Sequence, residues 1–160
     1  MKEKQLDAPF GAIDKAETVP PGPIWKVLYT AKTHTTGGRE NGVARSSDDR
    51  LNIRLAGPGS TQSGTNPEQL FAAGWSACFE ASMGIVAKRM RVTLPEGLAI
   101  DAEVGLCLSA AGAYFLRARL HISLPDMEHD AAQVLIDAAH QTCPYSKAIR
   151  GNVDVVINLG

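Results

Sequence analysis

The spacing of apolar residues along the chain changes period several times, and each change marks an expected element. Residues 24–34, IWKVLYTAKTH, are rich in β-branched and aromatic types and predict a strand that ends before Gly37-Gly38. A short second strand is expected at 42–47. Leu51, Ile53 and Leu55 alternate with Asn52 and Arg54, as in a half-buried third strand. After the loop AGPGSTQSGT, Asn66-Pro67-Glu68-Gln69 has the form of a helix start. Asn66 suits the N-cap, Pro67 the first turn, and Gln69 a capping-box partner reaching back. The helix should run to about Met90. At about 100° per residue, Phe71, Trp75, Cys78, Ser82, Ile85 and Val86 share one arc, Phe79, Met83 and Met90 widen it, and Glu80 points away. The helix therefore reads as amphipathic with a broad apolar side.

Beyond Pro95 the period becomes two. Leu98, Ile100, Ala102, Val104, Leu106 and Leu108 alternate with Asp101, Glu103, Gly105 and Cys107. After a turn at Gly112, Tyr114, Leu116, Ala118, Leu120, Ile122 and Leu124 alternate with Arg117, Arg119 and His121. This predicts an antiparallel hairpin with one wet and one dry face. A second helix should begin at Asp126 or His129, with an apolar stripe of Ala131, Val134, Leu135, Ala138 and Ala139. It should stop at Cys143, because Pro144 disfavours helical geometry in the residue before it. Val153, Val155 and Ile157 form a last strand. The order β-β-β-α-β-β-α-β predicts an α+β fold with mainly antiparallel sheets. Residues 1–23 hold four of the nine prolines and no apolar period, so they read as an N-terminal arm ahead of a domain at 24–160.

Composition narrows the function classes. At 160 residues the chain suits one domain, and 44% hydrophobic with 21% charged residues excludes bulk disorder. A net charge of −1 and 6% aromatic residues argue against nucleic-acid binding. No apolar run of about 18 residues and no signal-peptide core is present, so no membrane association is expected and the cytoplasm is the expected location. Four scattered histidines give no metal-ligand spacing, and neither glycine-containing loop matches a phosphate or dinucleotide fingerprint, so no metal or bound cofactor is expected.

The candidate chemistry lies in the thiols. Three cysteines cannot close a disulfide framework, which points to a reducing compartment and free or reactive thiols. Cys78 lies mid-helix in GWSACFE, flanked by small residues that leave room for a ligand. Read alone it is either a small buried hydrophobe or a reactive thiol. Cys143 sits at a helix end before a proline. A separation of 65 residues from Cys78 excludes a CxxC motif. Cys107 falls on the polar parity of its strand. Glu68 lies roughly 60° from Phe71, inside the apolar arc. A carboxylate there calls for a cation, and Arg39, in the turn after Gly37-Gly38, is a candidate; both also read as ordinary surface charges.

The set TGGR at Thr36–Arg39, SSD at Ser46–Asp48, the block GTNPEQLFAAGWSACF at Gly64–Phe79, the segment AAHQTCPYSKAIRGNVDV at Ala138–Val155 and LYTA from Leu28 resemble the organic hydroperoxide resistance proteins of the OsmC/Ohr family. CPYS together with NPEQLF leans toward the organic-hydroperoxide branch. The resemblance implies a thiol-dependent peroxidase that protects against oxidative stress by reducing organic hydroperoxides to alcohols. In it Cys78 resembles the peroxidatic cysteine, Cys143 the resolving one, and Arg39 with Glu68 the activating pair. It implies an intertwined homodimer with sheets wrapped around central helices, two active sites at the subunit interface, and dihydrolipoamide or a lipoylated protein as reductant. The long arm and Cys107 depart from the family pattern.

A peroxide is cleaved by a thiolate, and an unperturbed cysteine is only about 3% ionised at pH 7. Burial of Cys78 would worsen this, so a fixed cation is required. Arg39 fits, with Glu68 holding its fork. Phe71, Trp75, Phe79, Met83 and Tyr145 are candidates to line an apolar pocket for the organic group. Glu68 and Cys78 are ten residues apart, about 15 Å along a straight helix. Either Arg39 spans that gap or the Glu68 and Cys78 of one site come from different subunits, and the composite arrangement is favoured. Competing expectations are a peroxidase preferring hydrogen peroxide and a non-enzymatic redox-sensing or ligand-binding domain.

Overall fold

A computed structural model describes residues 26–160. The arm at 1–23 and the first two residues of the predicted first strand lie outside the described residues. Residues 26–32 carry no helix or strand, and a compact unit spans residues 33–160.

The unit begins with a three-stranded antiparallel sheet, β1 (Thr33–Thr36), β2 (Val43–Ser46) and β3 (Asn52–Arg54), with a one-turn helix α1 (Gly38–Asn41) between its first two strands. The predicted strand at 24–34 is thus shorter and shifted. A strand persists only where its backbone groups find a partner. Thr33 pairs with Ser46, the last residue of β2, and the chain then turns, so the ladder offers residues before Thr33 nothing to pair with. A long helix α2 (Pro67–Met90) follows, then β4 (Ala99–Leu108) and β5 (Tyr114–Ser123), α3 (His129–Thr142), α4 (Pro144–Ile149) and β6 (Asp154–Leu159). The second sheet has the order β4-β5-β6. Its hairpin is antiparallel in the expected register, with Glu103 opposite Arg119 and Asp101 opposite His121 on the polar face. The β5–β6 pair is parallel, because α3 and α4 carry the chain back to the end at which β5 started.

The α2 start follows its sequence signals. The Asn66 side chain accepts the Gln69 backbone N–H at 2.9 Å, and Pro67 opens the helix. Gln69 does not close a capping box: its Oε1 accepts the Thr65 hydroxyl at 2.7 Å. Trp75, Phe79, Met83, Val86 and Ala87 of α2 pack with Leu120, Ile122, Leu135, Ile136 and Ala139 into one core. Fully burying side chains of this size contributes about 1.5–3 kcal/mol each, before entropy is counted.

The amphipathic expectation for α2 needs correction. Leu70 and Ile85 are exposed, as are Ala73, Ala77 and Ala81 beside them, so the helix is apolar on both sides. By length and composition α2 would cross a membrane, yet its bulky side is the core of this unit. The hairpin differs similarly at its tip. Leu106, Leu108 and Tyr114 lie on the dry parity but are exposed, because nothing among the described residues covers that end.

His140, on α3, has a buried Nδ1 with no hydrogen-bond partner among the described residues. Burial and then the Arg150 charge hold its pKa below the ordinary value, with Asp137 opposing. The unfolded chain therefore takes up this proton at a higher pH than the folded chain does. The stability so contributed is fully present above the ordinary value of about 6.5 and is lost as pH falls from there through the lower folded value. His140→Gln is expected to flatten the fall of the urea midpoint between about pH 7 and 5. An unchanged slope would contradict this.

Candidate functional site

Two charged and two sulfur-bearing side chains organise into two separate pairs. The first pair is built by glycines. Gly37 and Gly38 both adopt positive φ, 75° and 66°, which L side chains rarely take, and so turn the chain from β1 into α1. A Cβ at Gly42 would collide with the carbonyl oxygens of Thr36 and Gly38, so this tight loop admits no side chain there. Arg39 is thereby aimed at the first turn of α2, where its Nη2 donates to Glu68 Oε2 at 2.8 Å. The Glu68 side chain is 13% exposed and that of Arg39 34%, so water screens the pair only in part. Arg39 Nε also lies 3.7 Å from Glu40 Oε1. Glu40 was not singled out from the sequence, since a charged neighbour in a loop carries no periodic signal.

The second pair joins α2 to the α3–α4 junction. Cys143 and Cys78 Sγ atoms are 3.6 Å apart, and both thiols are free. α3 ends at Thr142 as Pro144 requires, and Cys143 takes extended geometry (φ −61°, ψ 122°). The same proline then opens α4 at its first position, where its missing N–H is harmless. Cys143 is the N-cap of α4: its Sγ accepts the Ser146 backbone N–H at 3.5 Å. Cys143 is buried and Cys78 half-buried. Burial pushes the Cys78 thiol up, and Cys143 pushes it the same way, against the Tyr145 backbone N–H, which favours the thiolate.

Within one chain the two pairs do not meet. No hydrogen bond among the described residues joins Arg39 or Glu68 to either sulfur. The ion pair instead borders two open clefts. One, of about 560 Å³, is lined by Arg39, Glu40, Pro58, Leu106 and Tyr114. The other, of about 440 Å³, is lined by Glu68, Ala72, Val104 and Leu106 among others.

Of the five residues expected to line an apolar pocket, Trp75, Phe79 and Met83 have no exposed surface and belong to the core. Their large apolar side chains find more partners there than a pocket wall offers. Phe71 is half-buried and Tyr145 is 41% exposed, their rings edge to face at 6.1 Å. The Tyr145 hydroxyl lies against Gly74, in the α2 turn that precedes Cys78. Cys107 does not join the other two: it lies in β4, paired across from Phe115, with its Sγ 3.9 Å from the Gly105 carbonyl. No three His, Cys, Asp or Glu side chains gather to hold a metal ion among the described residues.

The family model described as OsmC-like protein matches residues 57–158. The chain is 47% identical over 138 residues to the organic hydroperoxide resistance protein of Xanthomonas axonopodis pv. citri, covering 84% of this chain and 96% of that one. It is similar to the crystal structure of the organic hydroperoxide resistance protein OhrB of Bacillus subtilis, with a TM-score of 0.78 and 40% identity over 84% of this chain and 100% of that one. An organic hydroperoxide resistance protein from Elizabethkingia anophelis matches with a TM-score of 0.76 and 37% identity, covering 85% and 100%.

Proposed function

Because the chain belongs to the OsmC-like family, among the organic hydroperoxide resistance proteins, we propose that it is a thiol-dependent peroxidase that reduces organic hydroperoxides through Cys78 and Cys143. The observation that carries this reading is the 3.6 Å separation of two sulfurs that lie 65 residues apart in the chain.

The Cys78 thiolate attacks the terminal oxygen of the hydroperoxide. The S–O bond forms as the O–O bond breaks, and the departing alkoxide takes a proton to leave as the alcohol. The sulfenic acid then condenses with the Cys143 thiol: the S–S bond forms, the S–O bond breaks, and hydroxide leaves with the Cys143 proton as water. A dithiol such as dihydrolipoamide, free or on a protein, returns both sulfurs to thiols.

The first step needs a cation, since burial holds Cys78 protonated in the single chain. Arg39 is that cation, supplied by a second copy. The support is physical. Glu68, which holds Arg39, lies about 15 Å along α2 from the thiol of its own chain, and Arg39 makes no hydrogen bond to that thiol. The uncovered apolar side of α2, from Leu70 to Ile85, and the bare hairpin tip give the second copy a surface to cover. Pro58, Leu106 and Tyr114 line the open cleft beside Arg39, and once a second copy covers it the excluded water strengthens the arginine's hold on a thiolate and on the departing alkoxide. Tyr145, whose backbone N–H reaches Cys78, and Phe71, whose ring packs on that of Tyr145, offer contacts to the organic group.

One equivalent of an alkyl hydroperoxide is expected to yield one equivalent of alcohol and a Cys78–Cys143 disulfide mapped by mass spectrometry. With dihydrolipoamide present, turnover should continue and should favour the alkyl hydroperoxide over hydrogen peroxide. A disulfide that forms without multiple turnovers would identify a sensor instead.

A further inference from the structure

The thiol pair is not the only bridge between α2 and α4. Trp75 lies one turn before Cys78 on α2, and Ser146 lies three residues after Cys143 in the first turn of α4. The indole Nε1 of Trp75 donates to Ser146 Oγ at 3.2 Å, and both residues are 0% exposed. The backbone N–H of the same Ser146 donates to Cys143 Sγ. Two rungs, one of sulfur and one of indole and hydroxyl, thus join the same two elements one helical turn apart.

We propose that Trp75 and Ser146 are positioning residues that hold Cys143 in place for disulfide closure. The inference rests on the peroxidase reading above. An apolar pair would pack here as well, but it would leave α4 free to slide, because apolar contact has no direction. An indole donates along one line only, so the bond sets where α4 sits along α2. A disulfide needs its Cα atoms roughly 4.4–6.8 Å apart. The demand is greatest after the first step, when an oxygen on Cys78 stands between the sulfurs; Ile149 and Tyr145 still pack α4 against its neighbours, but the second rung is the directional contact that remains. Cys143 must then displace that oxygen as water without leaving its place. A buried serine whose hydroxyl accepts from the helix before one thiol and whose backbone N–H donates to the other thiol is well placed for this task.

The test compares full-length wild type with Ser146→Ala, Trp75→Phe, the double variant and Ser146→Thr after one equivalent of an alkyl hydroperoxide. Sulfenic acid is trapped by a dione and counted by mass, and closure is followed by the loss of free thiol. In Ser146→Ala and Trp75→Phe, closure is expected to slow about tenfold or more relative to sulfenic acid formation. Sulfinic acid should accumulate on Cys78, and the reduction potential of the disulfide should rise. The double variant should close no more slowly than the slower single variant, and Ser146→Thr should recover most of the rate, since it keeps the hydroxyl. An unchanged ratio of the two steps overturns the inference alone. Equal slowing of both steps, or loss of the folded state by circular dichroism in both single variants, assigns the pair a structural role and overturns it too. Absence of any sulfenic acid on wild-type Cys78 overturns the peroxidase reading, and this inference with it.

Discussion

Cys78→Ser is expected to abolish peroxide consumption, to the rate of the uncatalysed reaction. A serine hydroxyl is not ionised near pH 7 and is a far poorer nucleophile than the few per cent of thiolate in even an ordinary cysteine. No second sulfur can replace it. Cys143 is buried beneath the α2–α4 contact, and Cys107 lies away in the β4 strand. Cys143→Ser separates the two steps. It should give one alcohol per chain and then stop, with Cys78 passing to sulfinic acid in excess peroxide, because nothing closes on the sulfenic acid. Peroxide consumption by Cys78→Ser at the wild-type rate would end the assignment.

The two long helices, α2 and α3, were legible because their signals are local. Asn66-Pro67 starts α2 where the sequence predicts, and Pro144 stops α3. The hairpin was legible from strict alternation, and Arg39 with Glu68 from a carboxylate on an apolar arc. What was not legible depends on partners distant in the chain. The strand predicted from residue 24 starts at Thr33 because β2 is short, which no propensity encodes. The parallel placement of β6 and the helix α4 follow from how Pro144 is reused, as a stop for one helix and a start for the next. Trp75 reads equally well as core or as pocket from its arc, and what sets it in the core is burial by β5, α3 and α4, elements far along the chain. The exposed apolar residues of α2 and of the hairpin tip look like core in the sequence and stand uncovered among the described residues. Sequence periodicity marks an apolar side without telling what covers it, and the proposed composite site assigns that cover to a second copy.

The second large effect is expected at Arg39. Arg39→Met removes the cation while keeping an apolar stem of similar length. A guanidinium that lowers the thiol pKa by about two units raises the ionised fraction at pH 7 by at most about 30-fold. One that also stabilises the departing alkoxide adds roughly a hundredfold, the scale of a single lost charge-stabilising donor. The variant should therefore lose at least about a hundredfold in kcat/KM. The loss should shrink as pH rises, because hydroxide recovers the ionisation part and leaves the alkoxide part. Arg39→Lys keeps the charge but loses the fork held by Glu68, and should fall between the two. The composite site makes a sharper demand. Refolding Cys78→Ser together with Arg39→Met pairs one intact thiol with one intact arginine in each mixed dimer. Random pairing should restore about a quarter of the wild-type activity. Two inactive variants that stay inactive when mixed would place all four residues of a site on one chain.

Titration of the Cys78 thiol in the intact assembly, by the ultraviolet absorbance of its thiolate in a Cys107→Ser, Cys143→Ser background, bears most directly on the central claim. Its midpoint should lie well below the ordinary cysteine value of about 8.5 and should move above that value when Arg39→Met is added, as burial alone dictates. A midpoint at or above the ordinary value with Arg39 in place would contradict the account.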